Sequence, residues 1–181
     1  VKNRIGIHEL PHNLTTPQPD YLHQFFKLCV QQSIEYVVIE CAAQAMTFHR
    51  LETLHFAGLI FTNLDREHGE LYPTMESYFS AKCELFSFAE RNAPILINAD
   101  DLYGKKLLQK KQNNYLGYGT AGTDFVATFK ASSGALYRCT INDEPFGYTT
   151  FPGIFNAYNV VAAISLCLSL GIEKELLQCG L

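Results

Sequence analysis

The runs AGLIFTN at residues 57–63 and PILINADD at residues 94–101 decide the fold, because each is a short apolar stretch that ends in polar residues. Apolar runs of this length are typical of buried strands. Between them, residues 75–91 repeat apolar side chains at helical spacing and predict a helix. A strand, a helix and a second strand in this order indicate parallel strands joined by a crossover, with helices covering the sheet.

The pattern continues towards the amino terminus. Residues 17–33 place Leu22 and Cys29 on one helical face and predict another helix. The stretch EYVVIE at residues 35–40 is a continuous apolar run of β-branched type and predicts a further buried strand.

The second half of the chain adds a different kind of strand. Residues 124–142, DFVATFKASSGALYRCTIN, contain two alternating runs around SSG and predict an antiparallel hairpin. A last helix is predicted over residues 157–170, with its end at Gly171. The expected fold class is therefore α/β: a three-layer, mostly parallel sheet with helices on both faces and an appended antiparallel hairpin region.

Composition limits the functional classes. The chain has 181 residues, 48% of them hydrophobic, and we expect one domain over residues 1–181. The net charge of −4 and the lack of a basic run argue against a nucleic-acid partner. The longest apolar stretch, residues 160–172, is shorter than the roughly 20 residues of a membrane span, so no membrane insertion is expected. Six cysteines without a CxxC pair favour reduced thiols and a cytoplasmic location.

Lys82 falls in the middle of the apolar face of the helix predicted at residues 75–91, where a hydrophobic residue is expected. One interpretation is a lysine that buries its stem and extends its ammonium to the surface, which is the commoner case. The other is an amine kept neutral by burial, which can react with carbon dioxide to give a metal-binding carbamate.

Two further residues fit the second interpretation. Glu40 ends the run YVVIE, and His68 lies in the loop after LIFTNL, so both follow predicted strands. Ligands of open parallel sheets bind beyond the carboxyl ends of the strands. A carboxylate, an imidazole and a carbamate there would form a Mg²⁺ site. The alternatives are a salt-bridge partner for Glu40 and a surface loop residue for His68.

Seven blocks of sequence, taken in order, resemble the central domain of Mur ligases, and among these most closely the MurE type. They are TTP (15–17), VVIE (37–40), HR (49–50), FTNLDREH (61–68), TMESYFSAK (74–82), INADD (97–101) and FPGIFNAYNVVAA (151–163). The resemblance implies an ATP-dependent amide ligase. In that reaction the ATP γ-phosphate passes to a carboxylate of UDP-N-acetylmuramoyl-L-alanyl-D-glutamate. The amine of a diaminopimelate- or lysine-type amino acid then attacks the acyl-phosphate.

The resemblance also assigns roles to residues. It implies that Glu40 and His68 are Mg²⁺ ligands, and that Lys82 is the carbamylated lysine that helps to hold a metal near the γ-phosphate. The catalytic set and the metal-binding set are therefore the same three residues. The expected cofactors are ATP and Mg²⁺.

Substrate contacts are implied elsewhere. Asn156 and Asn159 in FNAYN match asparagines near the nucleotide, and Asn156 could at the same time be a helix N-cap. Thr15, Thr16 and Arg50 match positions that contact the UDP-sugar peptide. The expected partners are thus a UDP-muramoyl peptide and an amino acid.

Two departures from the family pattern bear on activity. No GxxxxGK[ST] loop occurs in these residues, although the family has one before TTP, so we expect the domain to be incomplete at its amino terminus. The family's Glu-x-Ser-Ser-His is here ECAAQ, with Ala42, Ala43 and Gln44. Tyr72 stands where a second histidine would match. Two alternatives follow. One is a catalytically impaired remnant that binds a nucleotide or partner. The other is a related ligase, such as a folylpolyglutamate-synthase-like or cyanophycin-synthetase-like enzyme.

Overall fold

A computed structural model of the chain describes residues 2–5, 8–11, 13–65, 70–149 and 151–179. The described residues form two compact units, the first within residues 1–54 and 68–88 and the second within residues 55–67 and 89–181. The strands are β1 (Lys2–Ile5), β2 (His8–Pro11), β3 (Leu59–Phe61), β4 (Ile95–Asn98), β5 (Tyr115–Gly119), β6 (Phe125–Ala131), β7 (Tyr137–Ile141) and β8 (Glu144–Tyr148). The helices are α1 (Pro19–Gln31), α2 (Ala43–Thr47), α3 (Met75–Glu84), α4 (Leu102–Leu108), α5 (Ile154–Ser169) and α6 (Lys174–Cys179).

The second unit is built on a six-stranded sheet with the order β3-β4-β5-β6-β7-β8. Strands β3 to β6 pair in parallel, and β6, β7 and β8 pair antiparallel. Only the last two residues of β5 pair with the first two of β6, so β6 continues past the carboxyl end of β5. The predicted α/β class, mostly parallel and with an appended antiparallel hairpin, is confirmed.

Both faces of this sheet are covered by helices, as the buried side chains of β4 show. Leu96 belongs to the same buried cluster as Ala157 and Val161 of α5. On the opposite face, the Cγ2 atom of Ile97 lies within 3.4 Å of the position that a Cβ atom on Gly104 of α4 would take. Because successive strand residues point to opposite faces, α5 and α4 lie on different sides of the sheet.

The first unit contains the β1–β2 hairpin and α1, α2 and α3. Leu22 and Cys29 are buried on α1, which confirms the predicted helix. Helix α3 begins with a capping box between Thr74 and residue 77. It ends at Glu84, earlier than the predicted residue 91. A 3-10 turn follows at residues 85–88, after which the chain pairs in an isolated bridge with Phe56.

The strand predicted at residues 35–40 is wrong. These residues are outside any strand and mostly exposed, and Val38 is 97% exposed. An apolar, β-branched run becomes a strand only when a neighbouring strand pairs with its backbone, and no described residue forms a ladder with this segment. Glu40 therefore ends an extended segment rather than a strand.

The last long helix differs slightly from its prediction. It starts at Ile154 rather than residue 157, and its N-cap is Gly153, which adopts φ 100°. The N-cap predicted at Asn156 is therefore wrong, since Asn156 is the third residue of the helix. The predicted end is confirmed, because the helix stops at Ser169 and Gly171 adopts φ 81°.

Candidate active site

Thr16 holds the chain on both sides of Cys41. Its side chain is 1% exposed. The hydroxyl donates to the carbonyl oxygen of Glu40 at 2.8 Å and accepts the backbone N–H of Ala42 at 2.9 Å. Glu40 itself is exposed, so its carboxylate is presented from a backbone whose position is fixed.

Arg50 completes this arrangement. Its Nη1 donates to the carbonyl oxygen of Thr16 at 3.0 Å, and its guanidinium lies 5.3 Å from the centre of the Phe48 ring. The Nε atom of Arg50 is buried and has no hydrogen-bond partner among the described residues. Thr16, Glu40, Ala42 and Arg50 are called the Thr16 cluster below. The structure thus brings together one predicted metal ligand, Glu40, and two predicted substrate contacts, Thr16 and Arg50.

Cys41 lies in the centre of this segment. Burial and, to a smaller extent, the neighbouring charge of Glu40 raise the pKa of its thiol to about 12. The thiol therefore stays protonated at neutral pH, and a protonated thiol is a poor metal ligand.

Thr15, the third predicted substrate contact, lies next to Thr16 and is half-buried.

Lys82 lies on α3 and is half-buried. Its Nζ is 5.2 Å from the centre of the Tyr78 ring, which stacks at 5.1 Å on Tyr72. The hydroxyls of Tyr72 and Thr47 are 2.7 Å apart. An aromatic face attracts an ammonium ion, so these contacts fit the interpretation of Lys82 as a snorkelling lysine. The carbamate stays a prediction.

His68 lies outside the described residues, so its predicted role is not tested. Within the described ranges, no group of three or more His, Cys, Asp or Glu side chains is arranged to hold a metal ion. This finding does not test the predicted metal set of Glu40, His68 and Lys82, because Lys82 is a lysine and His68 lies outside the described residues. The set stays a prediction.

The predicted nucleotide residues lie in the first two turns of α5. The Nδ2 atom of Asn156 donates to the carbonyl oxygen of Pro152 at 2.7 Å. Asn159 is exposed one turn further along the helix. Phe155, in the first turn, is 80% exposed. This end of α5 therefore presents an amide and an aromatic ring on its surface.

Sequence reasoning missed a cluster at the carboxyl ends of β4 and β5. Asp100 accepts hydrogen bonds from the backbone and hydroxyl of Thr120 and from the hydroxyl of Tyr158. Burial and the bond to Asp100 raise the pKa of Tyr158 to about 12. The acidic loop after the strand PILIN was visible in the sequence, but nothing there indicates that Asp100 binds a tyrosine 58 residues away.

None of the helices in the described part of the chain is both long and apolar enough to cross a membrane.

Two known ligases are similar in sequence to this chain over nearly all of the chain's length. The chain is 34% identical over 177 residues to the UDP-N-acetylmuramoyl-L-alanyl-D-glutamate–2,6-diaminopimelate ligase of Aquifex aeolicus, which covers 97% of this chain and 36% of the relative. It is 31% identical over 176 residues to the ligase of the same name from Caldanaerobacter subterraneus, covering 95% and 36%. The chain thus spans little more than a third of the length of these relatives.

The fold is shared with solved structures. MurF from Acinetobacter baumannii superposes with a TM-score of 0.57 at 20% identity, covering 68% of this chain and 28% of MurF. MurF from Thermotoga maritima in complex with ADP gives a TM-score of 0.56 at 21% identity, covering 69% and 30%.

A family profile completes these comparisons, because the Mur ligase middle domain matches residues 1–167. This match covers most of the chain and agrees with the order of the seven sequence blocks. The chain therefore belongs to the Mur ligase family and represents its middle domain.

Proposed function

We propose that the full-length protein containing this chain is an ATP-dependent ligase. It adds a diamino acid, diaminopimelate or lysine, to UDP-N-acetylmuramoyl-L-alanyl-D-glutamate in the cytoplasm during peptidoglycan precursor synthesis. The observation that carries this proposal is the identity of 34% over nearly the whole chain to a relative with that ligase name. The free thiols of Cys29, Cys41, Cys83, Cys139 and Cys167 agree with a reducing compartment.

The Thr16 cluster supplies the first part of the chemistry. An exposed carboxylate on a fixed backbone suits a Mg²⁺ ligand, because Mg²⁺ prefers oxygen donors held in a defined geometry. In this proposal Glu40 would hold the ion together with His68 and a carbamate on Lys82. Bound Mg²⁺ would neutralise charge on the phosphate oxygens.

Arg50 serves the other substrate. Its guanidinium is held by the carbonyl oxygen of Thr16 and by the ring of Phe48, so its direction is fixed. A planar guanidinium can bind a carboxylate or phosphate through two parallel hydrogen bonds. Arg50, held in place by the carbonyl oxygen of Thr16, would therefore orient the UDP-muramoyl peptide together with Thr15.

Asn156 and Asn159 would contact the nucleotide at the start of α5. In the first step a carboxylate oxygen of the substrate attacks the γ-phosphorus in line with the leaving oxygen of the β-phosphate, which gives an acyl-phosphate and ADP. In the second step the amine attacks the acyl carbon, loses a proton and displaces phosphate, which forms the amide. Positioning and charge neutralisation are the main means of catalysis in such a transfer.

A second candidate is an impaired remnant that binds a nucleotide or a partner. It is favoured by Ala42, Ala43 and Gln44, which replace two hydroxyls and an imidazole of the family pattern. Ala43 is 2% exposed, so that position faces the interior of its unit rather than a substrate. The loss of substrate contacts is therefore smaller than three changed side chains suggest.

The deciding experiment measures ligation by the full-length protein with ATP, Mg²⁺, UDP-N-acetylmuramoyl-L-alanyl-D-glutamate and a panel of diamino acids. Formation of the tripeptide product with diaminopimelate or lysine is expected. Lys82→Ala should abolish most of it, whereas Lys27→Ala, an exposed lysine on α1, should not. If no diamino acid is ligated, and Ala42→Ser, Ala43→Ser and Gln44→His together restore nothing, the remnant takes the place of the ligase.

A further inference from the structure

The carboxylate of Asp100 joins three elements of the second unit. Its Oδ2 atom accepts the hydroxyl of Tyr158 at 2.8 Å and the backbone N–H of Thr120 at 2.8 Å. Its Oδ1 atom accepts the Thr120 hydroxyl at 3.1 Å. Asp100 follows β4, Thr120 follows β5 and Tyr158 lies in α5. These three residues are called the Asp100 clasp.

The neighbouring Asp101 extends the connection to the loop after β3. Its Oδ1 atom accepts the backbone N–H groups of Tyr103 and Gly104 at 2.9 Å each, which caps α4. Its Oδ2 atom lies 3.4 Å from the backbone nitrogen of Leu64. Two consecutive aspartates therefore link the ends of β3, β4 and β5, and one of them also holds α5.

Tyr158 adds two contacts to those by which the buried face of α5 packs on the sheet. Its ring packs against Phe129 of β6 at a centroid distance of 4.8 Å, so this face of the helix is turned towards the sheet. Asn159 is the next residue and lies about 100° further round the helix, on an exposed face. Tyr158 is held at both its ring and its hydroxyl, and Asn159 is its neighbour on the helix.

The charge of Asp100 makes the hydroxyl contact a strong one. A hydrogen bond to a carboxylate is shorter and roughly twice as strong as one between neutral groups. Gly119 leaves little space beside it, because a Cβ atom there would lie 3.1 Å from Oδ2 of Asp100. The carboxylate is therefore confined between the end of β5 and the helix.

We propose that Tyr158 is a positioning residue for the nucleotide: through Asp100 it sets the rotation of α5 and thereby the placement of Asn156 and Asn159. This inference rests on the proposed function, in which these asparagines contact ATP. Tyr158 does not touch the reacting atoms in this proposal. Its effect is on nucleotide binding and not on the muramoyl peptide or the amino acid.

The test uses the full-length protein and Tyr158→Phe, which removes only the hydroxyl and keeps the ring against Phe129. The KM for ATP and the Kd for ADP, by calorimetry, should rise on the order of tenfold. A tenfold change corresponds to about 1.4 kcal/mol, close to the lower end of the net contribution of one hydrogen bond to a charged group. The KM values for the other two substrates should stay unchanged. Tyr148→Phe, at a tyrosine of β8 that is 52% exposed, is the matched control and should change nothing.

A double-mutant cycle identifies the route of the effect. Asp100→Ala, which removes the acceptor, should also raise the KM for ATP, and adding Tyr158→Phe to it should raise that KM no further, because the tyrosine acts through Asp100. Additive effects would overturn the clasp. So would equal increases in all three KM values, or a Tyr158→Phe variant that matches the Tyr148→Phe control.

Failure of the proposed function gives a different result. If the unmodified protein ligates nothing but binds ADP, and Tyr158→Phe weakens that binding, the positioning role stands without the ligase. If the unmodified protein neither ligates nor binds ADP, both are overturned. Thermal unfolding of each variant, measured alongside, ensures that only folded protein is compared.

Discussion

Replacing Thr16 with valine should loosen the backbone around Glu40. Valine has nearly the shape of threonine but lacks the hydroxyl, which donates to the carbonyl of Glu40 and accepts the N–H of Ala42. Each hydrogen bond contributes about 0.5–1.5 kcal/mol net, so the two together contribute about 1–3 kcal/mol. Serine at the same position keeps both bonds and loses one methyl group, which costs about 0.8 kcal/mol and does not free the backbone.

Hydrogen exchange of the Ala42 amide in the full-length protein measures this directly. A loss of about 1–3 kcal/mol corresponds to exchange roughly 5 to 150 times faster in Thr16→Val. Exchange in Thr16→Ser should stay close to that of the unmodified protein. The Ala99 amide, which donates to the carbonyl of Tyr118 at 2.8 Å in the second unit, is an internal control and should not change.

Ligation separates this structural role from a direct substrate contact. If Thr16 acts through Glu40, Thr16→Val lowers kcat because the carboxylate is no longer held in place. The reasoning fails if the Ala42 amide exchanges at the same rate in both proteins while only the KM for the UDP-muramoyl peptide rises. In that case the hydroxyl binds substrate, despite a side chain that is 1% exposed.

Four further outcomes are expected. In the full-length protein, Lys82→Ala should lose most ligation without unfolding, because alanine is a good helix former. Partial rescue of ligation by short carboxylic acids would support the carbamate. Full activity of the variant would contradict any catalytic role of Lys82. The 181 residues alone, which contain no GxxxxGK[ST] loop, should release phosphate from ATP and Mg²⁺ far more slowly than about 1 s⁻¹, and turnover at that rate would refute this. Gly104→Ala should destabilise the protein by about 1–3 kcal/mol in calorimetry, because its Cβ atom would lie 1.9 Å from the carbonyl oxygen of Asn98; an unchanged melting temperature would contradict the close approach. Ala42→Ser should stabilise α2 by about 0.5–2 kcal/mol, since residue 42 is an N-cap without a side-chain hydrogen bond, and slower exchange of the α2 amides is the measurement.

Four of the six strands of the second unit, β3, β4, β6 and β7, were predictable from their apolar patterns, whereas β5 and β8 were not predicted. The runs at residues 57–63 and 94–101 became β3 and β4, and residues 124–142 became the β6–β7 hairpin. In each case the apolar pattern and the hydrogen-bond partner are both present in the described chain. The run at residues 35–40 has the same pattern but no described partner, and pattern alone does not make a strand.

The candidate site was predictable only in part, for a similar reason. The place of Glu40 after an apolar run indicated that residue, and the family resemblance alone indicated Thr16 and Arg50. Neither indicated that Thr16 joins Glu40 and Arg50 through main-chain atoms. Such contacts depend on backbone positions, which leave no trace in side-chain identity. The tyrosine bond to Asp100 was missed because its two partners are distant in sequence and each has an ordinary local explanation, a turn aspartate and a core tyrosine.

The way in which Thr16 holds Glu40 bears on whether ECAAQ still belongs to a working ligase. Thr16 bonds to the carbonyl oxygen of residue 40 and the N–H of residue 42, and every residue type except proline supplies both groups. Alanine at position 42 therefore leaves these bonds intact and removes only a side-chain hydroxyl. The substitution can weaken contacts to a substrate, but it does not release the carboxylate of Glu40. These contacts stabilise the fold of a ligase and of a remnant alike, so the ligation assay, and not the anchored backbone, decides between the two.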